Sequence, residues 1–322
     1  MPFIRPAYQA LLVAPLTFLS YRAAYALFLL LNVMLVGLCA LLLRPNMTNL
    51  ADSCSLLPVI LTFAFLPVAV ALMQGQDSII LLTLLVAAFS SLGGGREFTA
   101  GLLVGLGMFK LQIVIPIAVL FLAWRRSRFC LGFVASAGLV AAGSVWLAGV
   151  GPTVQFVRSL FSVGAGLESA QMKFPLRVTL MANLRGLTFG IGSAVLPGFW
   201  LQIATLVLSA AVLITTATLA PKKLPGTESF LLAVATAILV SYYLFIHDLS
   251  VMLIPVLVIL DRFINVRATS DMYGWVAGMG AILVLVAPVC MFVAPEEFYG
   301  IAVLLAGLLG VLIKVVRRQA GT

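Results

Sequence analysis

Apolar runs separated by short polar stretches organise this chain, and one run is broken in an unusual place. From Phe98 to Trp124 the residues are overwhelmingly apolar, but Lys110 sits in the middle, followed by Gln112 and Pro116. As one straight helix this run would leave an ammonium near the centre of a bilayer, at a cost of roughly 2.5–3.5 kcal/mol. Turning the chain at the lysine removes that cost. Two short arms, Phe98 to Phe109 and Leu111 to Trp124, then form a hairpin. Its tip holds Lys110 at one membrane face, and Arg125, Arg126 and Arg128 follow at the other.

The remaining runs read as membrane helices of unequal length. Ala7 to Tyr21 is short and split by Pro15, which fits either an interfacial helix or a poor span. Ala24 to Leu43 and Leu56 to Met73 are expected to cross, with polar Arg44 to Ser55 between them. Ile79 to Leu92 returns after Gln74-Gly75-Gln76-Asp77 and ends at Gly93-Gly94-Gly95-Arg96-Glu97. Beyond the hairpin come Phe129 to Val150, Phe199 to Ala220, Phe230 to Phe245, Leu249 to Leu260, Trp275 to Val293 and Phe298 to Val316. The expectation is an all-α polytopic bundle of about eleven spans, including short or broken helices, in a single integral membrane domain over residues 1–322. Residues 151–186 form the one long polar connection, with Arg158, Glu168, Lys173, Arg177, Asn183 and Arg185, expected as an extracytoplasmic loop.

Composition agrees with this pattern. Of 322 residues, 63% are hydrophobic and 9% charged, too little polar surface to cover a soluble globule. A net charge of +9 would suggest nucleic acid in a soluble protein, but here the basic residues flank apolar runs, so no nucleic-acid partner is expected. With the hairpin in place, Arg44, Arg96, Arg125, Arg126, Arg128, Lys222, Lys223, Arg262, Arg267, Lys314, Arg317 and Arg318 share one side, which the positive-inside rule makes the cytoplasm. Asn46-Met47-Thr48, a glycosylation acceptor by spacing, lies on that side and carries no meaning there. Cys39, Cys54, Cys130 and Cys290 lack metal or disulfide spacing, and His247 is the single histidine, so neither a metal nor another cofactor is expected.

On the opposite face the hairpin topology gathers Gln74, Gln76, Asp77, Lys110, Asn183, Arg185, His247 and Asp248. Each has a plain alternative: Gln76 and Asp77 as caps for a helix starting at Ser78, His247 as a hydrogen-bonded interfacial residue. Their chemistry also suits sugar transfer from a lipid phosphate. Lysine and arginine hold phosphate, amides bind sugar hydroxyls, and an aspartate beside a histidine moves protons.

Four short patterns in order carry a resemblance: Gln74-Gly75-Gln76-Asp77; Gly101, Gly105 and Gly107 leading to Lys110; Asn183-Leu184-Arg185-Gly186; and His247-Asp248. Together they resemble glycosyltransferase family 87, the DUF2029 group, whose members are GT-C type membrane enzymes similar to polyprenol-phosphate-mannose-dependent mannosyltransferases. The resemblance covers most of the chain from about Phe3 onward. It implies a GT-C-like fold in the inner (plasma) membrane and a hexosyltransferase that takes sugar from a polyprenyl-phosphate donor. The acceptor would be a lipid or glycan on the extracytoplasmic face. It further implies Lys110 and Arg185 for the donor phosphate, Gln74, Gln76 and Asn183 for sugar, and His247, Asp248 and Asp77 for catalysis. Family members place a first span and an outer loop with a catalytic acid before a segment like Arg5-Pro6-Ala7-Tyr8, where this chain begins. That span and acid are therefore expected to be missing here, leaving Asp77 and Asp248 as the best acids present. A lipid or solute transporter or flippase, or a noncatalytic membrane subunit, are the competing classes.

Overall fold

The computed structural model of the protein describes residues 6–164, 177–220, 224–266 and 272–321; Glu168, Lys173, Lys222, Lys223 and Arg267 lie outside them. Every regular element among the described residues is helical. Five helices are long and apolar enough to cross a membrane: Tyr21–Asn46, Ser127–Ala148, Gly198–Leu219, Met272–Val293 and Pro295–Arg318. The other expected crossings are short or broken, among them Ser78–Gly93 and Gly226–Val240. Large apolar side chains such as Leu131, Leu139, Trp146 and Val195 cover the outside, as a lipid-facing surface requires.

The helices that position the site are labelled α1 (Ala7–Val13), α2 (Tyr21–Leu43), α3 (Ser78–Gly93), α4 (Glu97–Leu106), α5 (Leu111–Ala123), α6 (Ser127–Ala148), α7 (Val150–Gly164), α8 (Leu184–Gly192), α9 (Gly198–Leu219), α10 (Gly226–Val240) and α11 (Leu253–Val266). Helix α10 is the axis of the bundle, with every residue from Ser229 to Leu239 buried.

Helices α4 and α5 are the two arms of the expected hairpin. The helix stops at Gly107, one 3-10 turn covers Met108–Lys110, and α5 leaves with its axis inclined at 61° to the first arm. The arms return to one end of the molecule, because Arg126, just after α5, pairs with Glu97, the first residue of α4, at 2.7 Å. They are splayed rather than packed together: α4 lies along α6, and α5 lies along α10. Glycines make the first of these contacts possible. A methyl group on Gly101 would overlap the Phe129 carbonyl, one on Gly105 the Ser136 hydroxyl, and one on Gly132 the Phe98 carbonyl.

Several boundaries differ from the apolar pattern. The run Leu56 to Met73 is two helices, Leu57–Ala64 and Leu66–Met73, broken at Phe65. Pro67 has no N–H for the carbonyl four residues earlier, and it stands instead in the first turn of the second helix, where that N–H would have no partner. The Phe230 to Phe245 run leaves helical geometry at Ser241, and a 3-10 helix over Ile246–Met252 precedes α11. The 151–186 connection begins within a helix, α7, directly after Gly149 at φ +84°; residues 165–176 lie outside the described set. Ala7 to Tyr21 does divide near Pro15, into α1 and a 3-10 turn over Ala14–Phe18.

The two ends of the bundle differ in charge. At one, Arg126 joins Glu97 and the Leu224 carbonyl, and Arg262 binds Glu228 at 3.0 Å. At the other end stands Lys110 with the carboxylates.

Candidate functional site

Lys110 is 3% exposed, and two carboxylates hold it. Its Nζ lies 2.7 Å from Asp248 Oδ1 and 3.1 Å from Asp77 Oδ1. The hairpin delivers the lysine, the 3-10 helix delivers Asp248, and the turn before α3 delivers Asp77. That turn is a Schellman closure of the preceding helix: Gln76 N–H reaches the Ala71 carbonyl at 2.9 Å and Gly75 N–H the Leu72 carbonyl at 3.1 Å. It needs a left-handed residue, supplied by Gly75 at φ +59°. Although Asp77 occupies the N-cap position of α3, its side chain makes no cap bond. It turns instead toward Lys110 and accepts from Gln9 Nε2 of α1 at 2.6 Å.

Asp248 is more completely enclosed. Its Oδ1 also accepts from Ser78 at 2.8 Å, and its Oδ2 from the Phe245 N–H at 3.3 Å. Burial by itself would raise the carboxyl pKa, but Lys110, then His247, and the Ser78 hydroxyl outweigh it and hold Asp248 below the usual carboxylate range. His247 Nε2 is 3.7 Å from Asp248 Oδ2, and Nδ1 is 3.1 Å from Gln74 Oε1. With the Gln74 oxygen as acceptor the ring proton belongs on Nδ1. A second proton would sit on Nε2, facing Asp248. Gln76, half-buried, stands one residue from Asp77 in the same turn.

Asn183, the N-cap of α8, and Arg185, in its first turn, form a second group against the strap between α10 and the 3-10 helix. The buried Asn183 amide is engaged on both sides: Oδ1 accepts the Gly186 N–H at 2.8 Å, capping α8, and Nδ2 donates to the Ser241 carbonyl at 2.6 Å. Arg185 donates to the Tyr242 carbonyl at 3.3 Å and stacks over the Tyr242 ring, 4.1 Å from its centroid. The strap runs from these contacts straight into His247 and Asp248.

Gln9 and Ser78 belong to the cluster and carried no signal in the apolar pattern. An amide on a short, proline-split segment and a serine at a helix start are both commonplace. Only their hydrogen bonds, from Gln9 to Asp77 and from Ser78 to Asp248, reveal their use.

An apolar cleft of about 520 Å³ abuts the hairpin tip, lined by Tyr8 and Ala10 of α1, Met108 and Leu111 on either side of Lys110's turn, Val140 of α6 and Phe156 of α7. Among the described residues no group of three or more metal-binding side chains comes together.

A family model described as Glycosyltransferase family 87 matches residues 3–241. That stretch holds Gln9, Asp77, Lys110, Asn183 and Arg185, while His247 and Asp248 lie just past its end. No curated protein matches the chain, and no solved structure does.

Proposed function

Because the chain belongs to glycosyltransferase family 87, we propose that this membrane protein moves a hexose from a polyprenyl-phosphate carrier to a lipid or glycan acceptor. In this reading the reaction takes place at the face that holds Lys110, assigned to the extracytoplasmic side of the plasma membrane, and the basic residues at the opposite end support that orientation. One observation carries the reading: a buried cluster of a lysine and two carboxylates borders an apolar cleft, so groups able to move an acceptor proton lie beside a surface that fits a hydrocarbon chain.

In this mechanism the acceptor hydroxyl gives its proton to Asp77. Asp248 is the more fully engaged of the two, since it also accepts from Ser78 and the Phe245 N–H. The acceptor oxygen then bonds to the anomeric carbon as the bond to the phosphate oxygen breaks, and the phosphate leaves with the electron pair. Lys110 and Arg185 supply positive charge to that leaving group, and His247 turns from Gln74 to position it. Asp248 orients the His247 ring and Lys110 together. Gln74 and Gln76 bind the sugar, while Asn183, whose amide is already engaged, fixes the strap that forms the sugar site's wall.

The test is transfer of labelled hexose from a polyprenyl-phosphate donor in proteoliposomes. His247→Ala is expected to lower turnover by about 10²-fold, and Asp248→Asn by less. Full activity in His247→Ala, or transfer that uses a nucleotide sugar and ignores the lipid-linked one, would overturn the reading.

A further inference from the structure

At the opposite end of the bundle, the base of the hairpin opens into a polar recess of about 480 Å³. Arg125, Arg126 and Arg128 line it with Glu97, over a floor that includes Leu92 and Gly226. Glu97 and Arg126 neutralise one another at 2.7 Å, and Arg126 is further tied to the Leu224 carbonyl. Arg125 and Arg128 are exposed, and among the described residues neither side chain makes an ion pair or hydrogen bond. The recess therefore carries an excess of two guanidinium charges in a concave site.

We propose that this recess binds the phosphate of an anionic phospholipid headgroup. Two guanidinium groups at the rim match the oxygens of a phosphate, each able to bind bidentately. Basic recesses between membrane helices on the positive side take lipid headgroups for the same reason. The surroundings favour a lipid over a soluble phosphate. Three residues before Arg125 stands Leu122, 66% exposed, and three residues after Arg128 stands Leu131, 64% exposed. One turn away from each arginine, these side chains offer acyl chains an apolar path beside the headgroup site.

Arg125 also adopts a left-handed backbone at φ +59°, where its N–H closes the end of α5 on the Leu122 carbonyl at 2.9 Å. Glycine is the default at such a position, and arginine there carries strain.

This inference does not depend on the sugar-transfer reading, since the recess and the Lys110 cluster occupy opposite ends. The experiment compares retention of phosphatidylglycerol and phosphatidylcholine by the purified full chain in nanodiscs and by native mass spectrometry. Parent protein should retain phosphatidylglycerol preferentially, and Arg125→Gln/Arg128→Gln should lower that retention by about tenfold or more. Arg44→Gln/Arg317→Gln, which removes equal charge from the same end outside the recess, should leave retention within about twofold of the parent. All variants change exposed side chains, and their unfolding temperatures establish that they are folded. Equal retention by the parent and the recess variant overturns the site, as does equal loss in both double variants. Complete displacement of the lipid by millimolar inorganic phosphate overturns the lipid assignment in favour of a soluble anion.

Discussion

The Lys110 cluster and the Arg126–Glu97 pair are both ion pairs of one hairpin, one at its tip and one at its base. Both have nitrogen-to-oxygen distances of 2.7 Å, yet their surroundings differ. The Lys110 and Asp248 side chains are 4% and 2% exposed, whereas those of Arg126 and Glu97 are 23% and 21% exposed. At the base, water screens the charges, and the pair adds little beyond closing the arms. At the tip, three charges share a desolvated site, and each is tolerable only because the others are present. Distance alone therefore says little about what an ion pair does. Burial separates the group that fixes topology from the group that is suited to chemistry.

The largest expected effect comes from removing the central charge at the tip. Lys110→Met leaves two buried carboxylates facing each other, and should cost about 3–5 kcal/mol of stability in detergent, read by thermal or denaturant unfolding. A shift no larger than that of a surface mutation would erase the distinction between the two pairs. Next, Gly101→Ala should cost about 1–3 kcal/mol by forcing α4 away from the Phe129 carbonyl. Since this displaces an arm without touching a charge, it should also disturb donor binding at the tip; unchanged unfolding would show that the arm contact yields freely. Smallest is Arg126→Gln at the base, expected within about 1 kcal/mol. Its effect should shrink further as salt is raised, and a loss as large as that of Lys110→Met would place both pairs in the same class.

The hairpin was legible in the sequence because a lysine inside an apolar run has few inexpensive places to go. The placement of Arg126 was legible for a related reason: once the chain turns at Lys110, the arginine that follows the second arm returns to the start of the first, where it meets Glu97. What escaped the sequence was the partnership. The pattern placed Asp77 and Lys110 on one face, but it could not show that Asp77 abandons its capping position, because that choice depends on Lys110 arriving from thirty-three residues away. Gln9 was invisible for the same reason. Asn183 and Arg185 read as ligand-binding groups, yet the structure engages them with the carbonyls of Ser241 and Tyr242, exposed because the backbone leaves helical geometry at a point the hydropathy does not mark. The break at Phe65 was hidden because the residues on both sides are equally apolar, and only the missing N–H of Pro67 interrupts them.

The splay of the hairpin has a consequence for accuracy of placement. Each arm is aligned by a different neighbour, so the position of Lys110 is triangulated from two independent bearings that cross at 61°. Nearly parallel bearings locate their crossing poorly, since a slight drift of either line slides the intersection far along both. Lines crossing at a wide angle confine it. A long, flexible lysine can then be offered to two carboxylates from other parts of the chain with its backbone origin surveyed in advance, without the arms having to grip each other.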